Sequence, residues 1–322
     1  MELSVIIVNW NTREMLKECL NSIRENTNSK KVKTIVVDNA SSDGSREMTE
    51  KLFPEVHLIN SGGNIGFGRA ANIAIPYADT PLVLFLNPDT VVLENTIQKM
   101  ADFLKGNPQV GGLGCKMKSP TGIVHRDRDA HELGLQWFPS PFKELINMVL
   151  LSDITTQRFK KYLPYHDPNI SGYVSKLYGG CLMVRKEVLE QVGHFDERFF
   201  MYCEDGDLSY RIIKGGWKLY YLSDAEILHV SGGASQNTSN NLTLMRYESM
   251  RKLMQKYYGK RGEVCYKVVV FIGSLFRLIV LMTMEIVSFL SSFDRKMKYK
   301  ESFKRYVAII KWSIGLQKLI NL

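Results

Sequence analysis

Hydrophobic residues in the first hundred positions come in short continuous runs. Leu3 to Val8, Lys33 to Val37, Val56 to Ile59 and Leu82 to Leu86 are four to six residues long, rich in aliphatic side chains and closed by turn formers. Between the first two, Met15, Leu16, Cys19, Leu20 and Ile23 recur at three and four, the spacing of one helix face; a shorter helix leads to Leu52. Strands that are apolar on both faces and separated by helices predict βαβ units and a parallel sheet. Asn11 or Thr12 stands where the first helix needs its N-cap. A helix from Glu94 to Lys105 and a strand from Val110 to Cys115 continue the pattern, and a later helix carries Leu208, Ile212 and Ile213 on one face. A further helix through Leu244, Tyr247, Met250, Leu253, Met254 and Tyr257 ends at Gly259.

Right-handed crossovers place the loops after the first four strands at one edge of such a sheet, so Asn9, Asp38, Asn64 and Asp89 should converge there. Asp89 follows the most apolar run, Leu82 to Leu86, after Asn87-Pro88. A single carboxylate at that edge suits Mg²⁺ or Mn²⁺ carried in on a diphosphate, and equally suits a turn Asp that caps the next helix. Asp38 reads either as an acceptor for a base or ribose or as a turn carboxylate bonding its own loop. The stretch Ser61-Gly62-Gly63-Asn64-Ile65-Gly66-Phe67-Gly68-Arg69 offers backbone N–H groups and Arg69 at a helix start, an anion site or a tight turn. Its order is neither that of the dinucleotide fingerprint nor that of a P-loop.

From Lys118 to Lys176 the pattern dissolves into charged, aromatic and proline residues, including His125, Arg126, Arg128, His131 and Trp137, with one helical stretch near Phe142 to Leu151. An insertion of that length reads as an acceptor-side lobe. Beyond it, Glu204, Asp205 and Asp207 fall in the first turn of the Leu208 helix. The helix dipole alone accounts for three acids there; their crowding beside aromatic residues equally makes a general base raised toward neutrality by partial burial. His229 ends an apolar strand before Ser231-Gly232-Gly233, either as a core histidine or as the softer ligand completing a site begun by Asp89.

At 322 residues, 45% hydrophobic and 23% charged, the chain is globular, with one large domain or one plus an appendage. The formal charge of +9 is concentrated at the end: residues 261 to 322 hold eleven Lys or Arg against four Asp or Glu, or +7. Five cysteines without short regular spacing argue against a zinc site or a disulfide framework, and the N-terminus lacks the basic start of a secretory signal. Val268 to Leu290 has the length of a bilayer span, but Arg277 and Glu285 interrupt it, at roughly 2.5 to 3.5 kcal/mol each near mid-span. An interfacial or re-entrant helix pair fits better, with basic flanks from Arg295 to Arg305. Packing on the catalytic domain or on a homodimer mate is the competing expectation. Nucleic acid is disfavoured, because the positive charge lies beside apolar stripes instead of on a solvated face.

Val8-Asn9-Trp10-Asn11, Val37-Asp38-Asn39-Ala40-Ser41-Ser42-Asp43-Gly44, Asn64-Ile65-Gly66-Phe67-Gly68, Leu86-Asn87-Pro88-Asp89, Glu204-Asp205-Gly206-Asp207-Leu208 and His229 together resemble the inverting GT-A glycosyltransferases of family 2, in order and in spacing. The resemblance covers about residues 3 to 250 and is closest to the bacterial rhamnosyltransferase-like branch, with Asn-Pro-Asp where other branches have Asp-x-Asp. It implies an α/β GT-A domain, Rossmann-like with a mostly parallel central sheet, over 1–260 with the 118–176 insertion, followed by a helical membrane-associating tail over 261–322. It implies that Asp38 reads the base, with Asn9, Asn39, Asn64, Phe67, Arg69 and Asn87 also on the donor side. Asp89 and His229 would hold a divalent metal, Mg²⁺ or Mn²⁺, on the diphosphate, and Asp205, beside Glu204, would deprotonate the acceptor. The implied partners are a nucleotide-sugar, with dTDP-L-rhamnose favoured, a lipid-linked saccharide and the cytoplasmic face of the bacterial inner membrane. No Q-x-x-R-W follows His229, so one sugar is expected per encounter.

Two other classes share parts of this pattern. A nucleotide-sugar-binding protein without transfer activity would keep the edge loops and not depend on Asp205. A nucleotidyltransferase would show a basic glycine loop after its first strand, where this chain has Asn9-Trp10-Asn11.

Overall fold

A computed structural model of the chain describes residues 2–28, 30–124, 140, 167–230, 239–290 and 296–317. The expected helix near Phe142 to Leu151, the charged and aromatic residues from His125 to Trp137, and the Ser231-Gly232-Gly233 loop lie outside these residues. Two compact units are distinguished. One comprises Met1–Trp137 and Pro164–Asn237; the other comprises Phe138–Leu163 and Thr238–Leu322.

The first unit holds strands β1 (Leu3–Asn9), β2 (Val32–Asp38), β3 (His57–Asn60), β4 (Leu82–Leu86), β5 (Thr90–Val92), β6 (Val110–Lys118), β7 (Gly172–Val174), β8 (Cys181–Arg185) and β9 (Lys218–His229). Its helices are α1 (Arg13–Asn26), α2 (Ser45–Leu52), α3 (Phe67–Ala74), α4 (Thr96–Gly106), α5 (Lys186–Val192) and α6 (Glu204–Lys214). The strands form one sheet in the order β3-β2-β1-β4-β8-β6-β9-β5, with β7 also on β9. The β3-β2-β1-β4 block is wholly parallel, as the apolar runs predict. Beyond it β8 lies antiparallel to both β4 and β6, and β9 runs parallel to β6.

In β1 and β4 the continuous apolar runs are explained by burial on both faces, whereas the edge strand β3 is half-buried to exposed. In β4, Leu82, Leu84 and Leu86 join Leu16, Leu20 and Ile23 of α1 and Met100 of α4 in one core cluster. Val83 and Phe85 join Ala70 and Ala74 of α3, Leu189 of α5 and Leu208 and Ile212 of α6 in the other. Two helical layers thus enclose the sheet, and residues at its β1 to β4 edge are held from above and below. The expected cap of α1 differs in detail. Thr12 occupies the N-cap position without a side-chain bond to the helix; its hydroxyl donates to Asn9 Oδ1 (2.7 Å), and Asp43 Oδ2 accepts from the Arg13 N–H (2.8 Å) instead.

The second unit contains α7 (Ser239–Leu290), which breaks its helical backbone at Gly259 (φ 63°, ψ −160°), and α8 (Lys296–Ser313). Leu244, Met254, Tyr266 and Val270 pack with Ile309 and Trp312. Arg277, half-buried, donates to Tyr306 Oη at 2.9 Å. Among the described residues one helical stretch, Asn241–Thr283, is long and apolar enough to cross a membrane.

Candidate active site

The register of the parallel block sets Asn9 beside Asp38 and Asp38 beside Asn60 at the strand ends. The buried Asn9 amide donates to Asp38 Oδ1 (3.3 Å) and Ser41 Oγ (3.0 Å). Asp38, also buried, accepts the Ser41 N–H through Oδ2 (3.0 Å), so the turn-carboxylate contacts are present. Asn39 Nδ2 donates to Asn64 Oδ1 (3.0 Å), and Asn39 Oδ1 accepts from the Ile65 N–H (3.0 Å). The loops after β1, β2 and β3 are therefore stitched together by side-chain hydrogen bonds, which hold these amide and carboxylate groups in place at one sheet edge.

The glycine turn leads into α3 through Gly66, whose φ of 87° and whose backbone lie against Phe200; a Cβ there would sit 2.3 Å from the Phe200 carbonyl oxygen. The Phe67 N–H donates to that same oxygen (2.9 Å), and its ring meets Phe195 edge-on (5.5 Å between centroids). Arg69 turns to Glu197, donating to its carbonyl (3.1 Å) and lying 3.7 Å from its carboxylate. Both side chains of this pair are more than half exposed, so the guanidinium also remains open to an anion from solvent.

Asn87 is fixed at the end of β4 by its N–H to the Gly180 carbonyl (3.0 Å), while its own carbonyl accepts from Thr90 Oγ1 (2.7 Å). Asp89 then meets His229. β5 pairs antiparallel with the end of β9, setting Thr90 opposite His229, and His229 Nε2 lies 3.2 Å from Asp89 Oδ1. The Val230 N–H binds the Asp89 carbonyl (2.9 Å). The short β5 strand that makes this pair was not anticipated; the β-branched run Thr90-Val91-Val92 was its signal. Among the described residues no group of three or more His, Cys, Asp or Glu side chains is clustered for a metal. The pair nonetheless fits a divalent cation that keeps its other positions for phosphate oxygens and water, since it joins one hard carboxylate to one borderline imidazole.

The three acids of α6 separate clearly. Asp207 is fully buried and paired with Arg211 (2.8 Å), whose guanidinium also donates to the carbonyls of Val192, Gly193 and His194; this acid is structural. Asp205 accepts from the Gly179 N–H (3.2 Å) and from the Gly206 N–H (2.6 Å). Glu204 is buried, its Oε2 has no hydrogen-bond partner among the described residues, and its pKa is pushed up to about 8, first by burial and then by the charge of Asp205. The acid raised toward neutrality is therefore Glu204. Tyr202 and Cys203, both at φ 69°, form the left-handed turn that starts this helix.

Sequence reasoning assigned no role to Gly179 and Gly180, yet they join the parts. A Cβ on Gly179 would lie 3.6 Å from Asp205 Cβ and 3.8 Å from Phe67 Cε1, and one on Gly180 would lie 3.5 Å from Asn87 Nδ2. The paired glycines before β8 were the available signal. Thus Asn9, Asp38, Asn39 and Asn64 form one network, Asp89 and His229 a second, and Phe67, Asn87 and Asp205 meet around the glycine pair; Arg69 stands with Glu197.

A parallel block joined to a mixed half-sheet that delivers an acid from a helix start is the architecture of the GT-A fold. The sequence model described as Glycosyl transferase family 2 matches residues 4–193, and the chain belongs to that family. It is 31% identical over 249 residues, 70% of this chain and 75% of the relative, to the N-acetylglucosaminyl-diphospho-decaprenol L-rhamnosyltransferase of Mycobacterium tuberculosis. It is 25% identical over 232 residues, 70% of this chain and 82% of the relative, to the rhamnosyltransferase WbbL of Escherichia coli K12. Among solved structures, the mannosyltransferase PcManGT of Pyrobaculum calidifontis, in complex with GDP-Man and Mn²⁺, shares the fold at a TM-score of 0.56 and 14% identity, over 98% of this chain and 86% of that one.

Proposed function

We propose that this glycosyltransferase moves one L-rhamnose from dTDP-L-rhamnose to a lipid-linked saccharide, with inversion and with a divalent metal, at the cytoplasmic face of a bacterial membrane. The observation that carries the transfer reading is Asp205, the one acid of the α6 cluster that is neither salt-bridged to Arg211 like Asp207 nor left without a partner like Glu204 Oε2. The rhamnosyl and lipid-linked readings rest on the names of the two relatives. On the donor side, the Asn9–Asp38 and Asn39–Asn64 bonds hold the groups that receive the nucleoside, and Asp38 is the base reader. Asp89 and His229 would hold the metal, which when bound would neutralise the departing diphosphate.

The protein's own residues supply the rest. Gly179 and Gly206 N–H groups orient the Asp205 carboxylate. It takes the proton of the acceptor hydroxyl as that oxygen bonds to the anomeric carbon; the bond from that carbon to the diphosphate oxygen breaks on the opposite face. One displacement inverts the anomeric centre. A neutral Glu204 keeps a second negative charge away from the base. The test is product analysis after incubation with dTDP-L-rhamnose, GDP-mannose or UDP-N-acetylglucosamine and a polyprenyl-diphosphate-linked saccharide. Transfer from the dTDP donor with inverted configuration is expected; preference for another donor overturns the rhamnosyl reading, and retained configuration overturns the single displacement.

A further inference from the structure

The half of α7 beyond Gly259 has two unlike faces. Gly262, Tyr266, Val270, Gly273, Ser274 and Leu278 are buried, and Tyr266 and Val270 pack with Ile309 and Trp312 of α8. On the opposite face Val264, Val268, Ile272, Leu275, Ile279 and Met282 are each 43 to 53% exposed. Their spacing of four, four, three, four and three is one stripe on a helix, about 27 Å long at 1.5 Å per residue. Arg261, exposed, heads the same stripe one turn before Val264.

We infer that this stripe seats in the headgroup boundary of an anionic leaflet with α7 lying in the membrane plane, and that α7 does not cross the bilayer. The inference deepens the membrane-face reading above and rests on it. Length and apolar composition admit a crossing, but a third of the most apolar stretch is buried inside the protein. α8 covers the face turned from the stripe, and Lys304, Arg305 and Lys311 are exposed on it. Were α7 to span, α8 would be carried to mid-depth with those three cations, because Ile309 is packed with Val270 and Tyr306 is bonded to Arg277. With α7 flat, the apolar face enters lipid and α8 stays on the water side. Its cations then lie one interhelical distance above the surface, within a Debye length of anionic headgroups. An apolar stripe backed by an excess of cations complements an anionic lipid surface better than it complements a second copy carrying the same charge.

Cys265 supplies a native probe, since its thiol is exposed on this half of α7 while Cys19, Cys115 and Cys181 are buried. The experiment uses the full chain with vesicles of phosphatidylcholine alone or with phosphatidylglycerol, read by flotation and by labelling with a membrane-impermeant maleimide. A Cys203→Ala control assigns the signal to Cys265. Anionic vesicles should float the protein and slow Cys265 labelling at least tenfold, while a Lys311→Cys thiol stays open to reagent added outside. The exposed-site variant Val268→Glu/Ile272→Glu should keep its thermal melt and nucleotide binding yet lose flotation. Flotation with Cys265 still fully labelled overturns the stripe while leaving membrane association standing. Flotation with Lys311→Cys protected shows a crossing helix and overturns the flat arrangement. Absence of flotation overturns both readings, and a dimer dispersed by the double variant assigns the stripe to a second copy.

Discussion

Replacing Glu204 by glutamine should flatten the dependence of stability on pH while leaving sugar transfer largely intact. The folded protein holds the Glu204 proton until about pH 8, whereas a solvated glutamate releases it near 4.5. Between those values the native state binds more proton than the unfolded chain, so this site favours folding fully below pH 4.5 and loses that contribution as pH rises through 8. At 1.36 kcal/mol per pH unit for one differential proton, the loss from pH 5 to 8 is roughly 3 to 4 kcal/mol. For a domain of this size that corresponds to about 10 °C in Tm. Glutamine keeps the shape and the neutral charge, so Glu204→Gln should melt higher than the wild type at pH 8 and alike at pH 5. Asp205→Asn should reduce the wild-type slope only partly, because burial is the larger cause and the Asp205 charge the smaller. The assay is thermal melting across pH 5 to 8 with nucleotide absent, paired with turnover at pH 7.5. Parallel melting curves for wild type and Glu204→Gln would refute the buried, neutral side chain. A loss of transfer by about 10² to 10⁴ in Glu204→Gln would make Glu204 the base instead.

Other perturbations separate binding from scaffolding. Asp89→Ala should abolish Mn²⁺ binding in the presence of nucleoside diphosphate, and His229→Ala should weaken it and shift the preference toward Mg²⁺; calorimetry with the diphosphate present reads both, and unchanged binding in the two variants contradicts the metal pair. Arg211→Ala leaves the fully buried Asp207 carboxylate without its guanidinium and should cost about 3 to 5 kcal/mol, read by denaturant unfolding; a change under 1 kcal/mol would mean that Asp207 is not the structural acid of the cluster.

How far the sequence exposes this architecture depends on what each segment buries. β1 and β4 were legible because both their faces are covered, which leaves Leu3 to Val8 and Leu82 to Leu86 without a polar interruption. Right-handed crossovers predict that Asn9, Asp38, Asn64 and Asp89 share an edge; hydrogen bonds join Asn9 to Asp38 and Asn39 to Asn64, whereas Asp89 is paired with His229. β5 is three residues long, too short for a periodic signal, so its β-branched run Thr90-Val91-Val92 marked a strand without marking its partner β9, and the closeness of Asp89 and His229 was suggested by their chemistry alone. Sequence spacing ranks Glu204, Asp205 and Asp207 only in part. Asp207 has Arg211 one turn along the same helix, a spacing legible in the chain, whereas the Gly179 N–H meets Asp205 from a distant segment and Glu204 Oε2 has no donor among the described residues. The Arg277–Tyr306 bond was not legible in the sequence, because Tyr306 comes 29 residues later on another helix.

The most direct test of the account is acceptor-dependent release of nucleoside diphosphate by wild-type protein and by Asp205→Asn, each supplied with Mn²⁺, dTDP-L-rhamnose and the lipid-linked acceptor. Asparagine keeps the volume of the side chain and removes its capacity to take a proton. Donor affinity should therefore stay within about twofold while release falls by about 10² to 10⁴. Release by Asp205→Asn at the wild-type rate, with donor still bound, would contradict the assignment of Asp205 as the base on which the transfer mechanism rests.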